Sequence, residues 1–333
     1  MVDGILGTIG ATPLVELRKV FPHYPFRIFA KLERFNPGGS IKDRTALNML
    51  IGRLRSGELV PGRSVVVESS SGNLGIGLAQ LCAYFGLRFI CVVDARTTEQ
   101  NLAVLHAYQA EVEVVTEADA AGGELLPARL RRVRELVESI PYAYWPNQYA
   151  NPLNPAAHHT TMREVVEALD GRVDYLFCAA STGGTLGGCA AYVQEHALPT
   201  AVVAVDAEGS AIFAPPTGPR LLPGHGASVR PPLLEKDPSH HLVRVPDLEA
   251  VAACRRLTAS EGLLAGGSSG AVLAALTVLA DRIPAGANCV LVFPDGGDRY
   301  LDTIYSDHWV RDHFGDVSHL WKEPRTTGAT QPC

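Results

Sequence analysis

Short apolar runs alternate with longer stretches of helical period along most of the chain. The runs at 64–68, 88–93, 112–115, 175–179, 201–206 and 289–293 predict strands. Amphipathic or small-residue stretches at 74–85, 99–108, 125–139, 157–169, 185–196, 248–261 and 270–282 predict helices. Apolar strands interleaved with helices predict an α/β fold whose parallel sheets are covered on both faces. The rhythm breaks at 141–155, rich in Pro and Asn, which reads as a crossing between two domains. It breaks again at 213–241, rich in Pro and Gly, and a loop of that length in a compact domain is usually functional or mobile. The polar stretch after Lys322 reads as a disordered tail.

Composition narrows the class. With 333 residues, one to two domains are expected. Hydrophobic residues at 47% and charged residues at 19% exclude a disordered or collagen-like chain. A net charge of −6 leaves no basic excess for nucleic acid and no polybasic membrane patch. Two uncharged stretches, 175–194 and 262–280, approach membrane-spanning length. Gly, Ser and Thr clusters interrupt both, so they read as pieces of a buried core. The spacing Gly183/Gly187 and Gly184/Gly188 also suits membrane helix pairing, a reading that those interruptions disfavour. The seven cysteines are scattered and form no C-x-x-C, which argues against disulfides or structural zinc and for the cytoplasm. No basic segment precedes a long apolar run at the start, so no signal peptide is expected. Only five of the 29 basic residues are lysines: Lys19, Lys31, Lys42, Lys236 and Lys322. Chemistry that needs an amine has few candidates.

Ligands in such folds sit at strand ends, where helix N-termini converge. Four loops fall at such places. The first, Asn36-Pro37-Gly38-Gly39-Ser40-Ile41-Lys42-Asp43-Arg44, leads into a helix expected to start near Ser40, with Lys42 in its first turn. The helix dipole disfavours a cation there and lowers an amine pKa, which suits a Schiff base. A lone lysine at a helix start is more often a surface residue, but the glycines let backbone approach a ligand. The second loop, Glu68-Ser69-Ser70-Ser71-Gly72-Asn73-Leu74-Gly75, offers hydroxyl and N–H groups to a carboxylate or phosphate. One helix cap explains one of these residues and leaves the others.

The third loop, Ser181-Thr182-Gly183-Gly184-Thr185, reads as a phosphate cradle. It fits neither G-x-G-x-x-G nor the P-loop, although Asp206 stands where a dinucleotide site would need an acid. The fourth, Gly266-Gly267-Ser268-Ser269-Gly270, places a serine to cap a helix or to meet a ligand. The pairs His158-His159 and His240-His241 lack metal-ligand spacing. No G-x-S-x-G elbow occurs. The charged run 129–138 reads as a solvated helix face.

With these loops combined, the chain resembles the fold-type II pyridoxal-phosphate enzymes of the cysteine synthase and cystathionine β-synthase group. The resemblance runs from Gly10-Ala11-Thr12-Pro13-Leu14 to about Tyr300, and its most specific segment is N-P-G-G-S-x-K-D-R. It implies two three-layer α/β domains with mostly parallel sheets, as in the tryptophan synthase β chain. The smaller would be 37–149 and the larger 1–36 plus 150–322, followed by a flexible tail at 323–333. It further implies pyridoxal 5'-phosphate as cofactor, small amino acids as substrates, and a homodimer. Lys42 would carry the cofactor and act as the base, and Asn73 would meet the ring hydroxyl. Ser181, Thr182, Gly183, Gly184 and Thr185 would hold the phosphate. Ser268, in preference to Ser269, would meet the pyridine nitrogen, and a neutral partner there favours β-elimination over transamination. Ser70, Ser71, Gly72, Asn73 and Gln148 would hold the substrate carboxylate.

The stretches at 68–75, 147–151, 206–210 and 297–302, with 305–307, resemble the branch that joins O-phospho-L-serine to the amine of L-glutamate. Cysteine synthases usually carry Thr where Leu74 stands and a different segment in place of 206–210. Arg129, Arg220 and Arg299 are candidates for the additional negative charge of two acids. His225 replaces a usually apolar residue and reads as a rim substitution, with an effect on the nucleophile as the other possibility. A sulfide-using cysteine synthase shares the cofactor loops and is the chief alternative. A cystathionine β-synthase is disfavoured, since neither a haem segment nor a regulatory module flanks the resemblance. A non-catalytic binding relative is remoter, because it need not keep Lys42, Asn73 and Ser268 together, and so is a nicotinamide enzyme, which has no use for Lys42.

Overall fold

The structure is a computed structural model that describes residues 4–117, 125–213, 217–234 and 238–321. The stretch read as a tail lies outside the described residues. The chain runs β1 (Leu14–Leu17), β2 (Arg27–Leu32), α1 (Lys42–Ser56), β3 (Val65–Ser69), α2 (Asn73–Phe85), β4 (Arg88–Asp94), α3 (Glu99–Ala107) and β5 (Glu111–Val115). It continues with α4 (Leu125–Ser139), β6 (Ala143–Tyr144), α5 (Leu153–Ala156), α6 (His158–Ala168), β7 (Tyr175–Ala179), α7 (Gly184–Glu195) and β8 (Ala201–Ala207). The last elements are β9 (His241–Val245), α8 (Asp247–Glu261), α9 (Gly267–Leu279), β10 (Asn288–Phe293) and α10 (Asp307–Phe314).

Two sheets form. One has six strands in the order β1-β2-β10-β7-β8-β9, and the other has four in the order β5-β4-β3-β6. All pairings are parallel except that of β1 with β2. The expected α/β class with mostly parallel sheets is what the chain adopts. Strand alternation explains why both sheets are sandwiched by helices. Val66 packs with α1 and α2, whereas Val65 and Val67 turn to Val133 and Leu136 of α4. In the larger sheet, Val203 and Val205 meet α8 and α9, while Val202 and Ala204 meet α6 and α7. Each fully buried valine of this kind contributes roughly 1.5–3 kcal/mol.

The unpredicted elements have local reasons. Strand β6 has two residues, and β1 is a half-exposed edge without a clean apolar run. The last small-residue helix starts earlier than expected, because the Gly266 carbonyl already accepts the N–H groups of Ser269 and Gly270. Among the described residues no helix is long and apolar enough to cross a membrane. The C-terminal ends of β3, β7 and β10 lead into 70–72, 180–183 and 294–300, and these are the segments that build the site.

Candidate active site

The Pro-Gly-Gly turn is held from three sides. The Asn36 carbonyl accepts the Gly39 N–H at 2.8 Å, and Gly39 has φ +84°, which favours glycine. The Asp43 carboxylate accepts the Gly38 N–H at 2.5 Å. Ile41 donates its N–H to the Pro294 carbonyl at 2.8 Å, joining the turn to the end of β10. Helix α1 therefore begins at Lys42, and that residue lines a pocket with Ser181–Thr185, Gly224, Val292 and Pro294. Loops far apart in sequence thus meet at one amine. The Lys42 pKa is lowered, chiefly by burial, while Asp295 and Glu33 oppose the shift. The direction matches the expectation drawn from the helix start, but desolvation is the leading cause.

The opposite wall is the first turn of α7. Gly183 takes φ +91°, and the Thr182 hydroxyl accepts Asn154 Nδ2 at 3.1 Å. Asn154 also donates to the Gln148 carbonyl at 2.8 Å and accepts the Thr45 hydroxyl at 3.2 Å. This buried amide links α1, the 146–151 arm and the glycine loop, yet nothing in the sequence singled it out beyond the Asn-Pro character of the crossing. A helix N-terminus and hydroxyls facing a half-buried amine suit a phosphate ester that also carries an aldehyde. The pocket's donor set therefore fits pyridoxal phosphate. Ser268 is buried, with its hydroxyl 3.9 Å from where a Cβ on Gly224 would stand. Ser269 is fully buried, and its Oγ has no partner among the described residues.

The serine-rich loop follows β3. Ser70 Oγ accepts the Gly75 N–H at 3.0 Å, which satisfies one free donor in the first turn of α2. Ser71 Oγ accepts Arg129 Nη1 at 2.5 Å and donates to Asp94 at 3.3 Å, and Arg129 also pairs with Asp94 at 3.1 Å. Arg129 is thus largely buried against the loop, which corrects the reading of 129–138 as wholly solvated. Its neighbours Arg131 and Glu135 do face solvent. Gln148 donates Nε2 to the Ser69 carbonyl at 3.0 Å, so the arm sits beside the loop. Asn73 donates Nδ2 to Asp295 at 2.8 Å and accepts a bond from Arg299. Arg299 further donates to the Gly38 carbonyl at 2.7 Å, so it braces Asn73 and the turn. Tyr300 donates its hydroxyl to Asp295 at 2.6 Å. Sequence reasoning quoted Arg299 and Tyr300 but missed Asp295, whose position directly after Pro294 at a strand end was the available signal.

Two other sequence candidates need correction. Asp206 is buried, and it accepts the Ala207 N–H at 2.9 Å, so it is not presented to a ribose. Arg220 donates to the His225 carbonyl at 3.4 Å. His225 is not a rim residue: it is 1% exposed, and neither ring nitrogen has a partner among the described residues. Loop 223–228 folds inward because Gly226 donates its N–H to the Ala180 carbonyl at 2.7 Å. Burial, aided by the Arg220 charge, lowers the imidazole from 6.5 to about 4. The unfolded chain then binds more protons between those values, so stability is complete above 6.5 and is lost as pH falls toward 4. His225→Leu should remove about 2–3 kcal/mol of that acid sensitivity, read from urea midpoints at pH 7 and pH 4.5. Buried His158 titrates with the same sign and leaves a residual slope. An unchanged slope in the variant would refute the assignment. Among the described residues no His, Cys, Asp and Glu cluster could hold a metal ion.

A half-buried lysine, a glycine and hydroxyl cradle at a helix N-terminus, and a second serine-rich loop beside them, all following parallel strands, suit a class of cofactor-dependent amino-acid enzymes. Residues 5–295 match the family described as pyridoxal-phosphate dependent enzyme, and the chain belongs to it. The chain is similar to a solved cysteine synthase from Entamoeba histolytica, at 34% identity, covering 92% of this chain and 91% of that one, with TM-score 0.84. It is similar to an O-acetylserine dependent cystathionine beta-synthase from Helicobacter pylori, at 32% identity, covering 92% and 100%, with TM-score 0.84. A lysine-to-alanine mutant of O-ureido-L-serine synthase, bound to O-ureido-L-serine, matches at 30% identity, covering 94% and 98%, with TM-score 0.84. The protein is accordingly a pyridoxal-phosphate-dependent β-replacement enzyme of the cysteine synthase type.

Proposed function

We propose that this enzyme joins O-phospho-L-serine and L-glutamate to form N-(2-amino-2-carboxyethyl)-L-glutamate. That product is a precursor of 2,3-diaminopropionate for siderophore or antibiotic biosynthesis. The carrying observation is Arg129, whose guanidinium is buried against Ser71 in the loop assigned to the amino acid. A reaction of two acids has a use for a cation beside that loop, here shared with Asp94, whereas sulfide has none. Leu74 and the 206–210 segment support the same reading.

Pyridoxal phosphate, when bound, supplies the electron sink that acidifies the α-proton of an amino acid. The chain's own residues do the remainder. Ser181, Thr182 and the 183–185 turn would hold the phosphate, and Ser268 would meet the ring nitrogen. Asn73, braced by Asp295 and Arg299, meets the ring hydroxyl. Ser70, Ser71, Gly72 and Gln148 orient the carboxylate. Lys42 would anchor the cofactor, and its Nζ would take the α-proton as general base. The lowered amine pKa raises the fraction of neutral base at a given pH.

A cysteine synthase reading is supported about equally by the Entamoeba likeness. The two separate in one assay. The holoenzyme receives O-phospho-L-serine with L-glutamate and sulfide offered in parallel, and products are read by mass spectrometry. A glutamate adduct is expected. Cysteine alone would overturn the glutamate reading and favour the sulfide one.

A further inference from the structure

One buried carboxylate beneath the amino-acid loop has no part in the chemistry above. Glu68 lies in β3 and is fully buried. Its Oε1 accepts the Ser69 N–H at 2.8 Å and the Trp145 indole N–H at 3.0 Å. Its Oε2 accepts the Gln148 N–H at 3.2 Å. Gln148 returns a bond to the Ser69 carbonyl at 3.0 Å. One carboxylate therefore ties together the two segments that the proposed function gives to the substrate carboxylate. Asn147 directly before Gln148 holds φ +52°, a left-handed turn that Asn accommodates, so the chain bends there and the carboxylate fixes the residue that follows.

Only an ionised carboxylate offers both oxygens to several N–H donors while donating nothing itself. Adding a proton places an O–H where an N–H already points. Burial drives Glu68 toward that neutral form and lifts its pKa to about 7, against the lowering by Trp145, Ser69, Gln148 and Asn147. Other groups that face this region are Cys91 on β4, Tyr144 on β6 and Tyr149 on the arm, with the Asp94–Arg129 pair beyond them. Cys91 and Tyr149 are pushed up to about 12, and Tyr144 is raised from 10.0, so none of the three changes charge near neutrality.

We propose that Glu68 is a positioning residue: its ionised carboxylate holds the Ser70–Asn73 loop and Gln148 at the spacing that receives the amino-acid carboxylate, and its protonation releases Gln148 and weakens substrate binding. This rests on the assignment of that loop to the substrate carboxylate. The test uses holoenzyme and O-phospho-L-serine, with kcat and KM measured from pH 5.5 to 9. The wild-type to Glu68→Gln ratio at each pH cancels the ionisation of the substrate itself. That ratio of kcat/KM should be about tenfold or more at pH 8, as for a lost charged hydrogen bond, and should fall toward one below pH 6.5. The loss should lie in KM, with kcat within about threefold. A ratio that is flat with pH, or a loss confined to kcat, would overturn the proposal. Trp145→Phe keeps the carboxylate and removes one N–H donor, so the pH limb should move up by about one unit. An unmoved limb would overturn the proposal even if Glu68→Gln failed to fold. Ser71→Ala separates the two levels. A KM unchanged in that variant defeats the loop assignment and this proposal with it. A raised KM beside a flat Glu68→Gln ratio defeats this proposal alone.

Discussion

Lys42→Ala should lower turnover by at least about 10⁴-fold and remove the visible absorption of the bound cofactor. Two functions would fall together, because the proposed role of the amine is both to anchor the cofactor and to move the α-proton. General-base action alone is worth about 10²–10⁴-fold, and loss of the covalent anchor adds to it. The fold should survive. Lys42 lines the pocket, and its amine makes no hydrogen bond among those found in the described residues, so its removal leaves no acceptor unpaired. Circular dichroism and the urea midpoint should match those of the wild-type protein stripped of cofactor. Added small primary amines should restore part of the turnover, since the missing group is a proton acceptor of that chemistry. Retention of more than about one per cent of turnover would show that another base does the work.

Gly184→Ala should weaken cofactor binding by about a hundredfold, whereas Gly187→Ala, one turn along the same helix face, should leave it unchanged. A Cβ on Gly184 would lie 2.0 Å from Asn154 Oδ1 and 2.5 Å from its Cγ. Asn154 cannot swing away cheaply, since its amide is bonded to Thr182, Gln148 and Thr45. The clash is therefore passed to the loop at 181–185 and to the arm. At Gly187 the nearest neighbour of an added Cβ is Pro155 Cβ at 3.8 Å, an ordinary contact, and alanine is the better helix former. Cofactor affinity by fluorescence titration, with thermal midpoints for both variants, separates a binding effect from general destabilisation. Equal affinities in the two variants would mean that the Asn154 link does not shape the phosphate loop.

The backbone layout was legible because its causes are local. Runs such as 175–179 and 201–206 are apolar without alternation, as strands covered on both faces must be, and helices follow where the period changes. The glycine and serine loops were legible for the same reason. Tight turns and helix N-termini demand particular residue types at particular offsets. Strands β2 and β9 and helix α10 were not legible: Arg27 and Lys31 break the apolar run of β2, and a five-residue strand beyond a Pro/Gly-rich segment and a short polar helix carry little periodic signal. His225 misled because a lone polar residue between two glycines looks exposed, and only the Gly226 bond to Ala180 turns that loop inward.

By itself the sequence determined the α/β class and, through the family resemblance, the cofactor, and it singled out Lys42 as the amine proposed to carry it. Each depends on neighbours within a few positions, where chain geometry restricts the outcome. Tertiary structure alone decided that Asp295 and Arg299 brace Asn73, that Asn154 joins three segments, that Arg129 turns onto Ser71, and that Glu68 reaches Gln148. Those contacts span separations from 6 to 226 residues. They are set by which strands pair and which faces pack, and no local pattern encodes them.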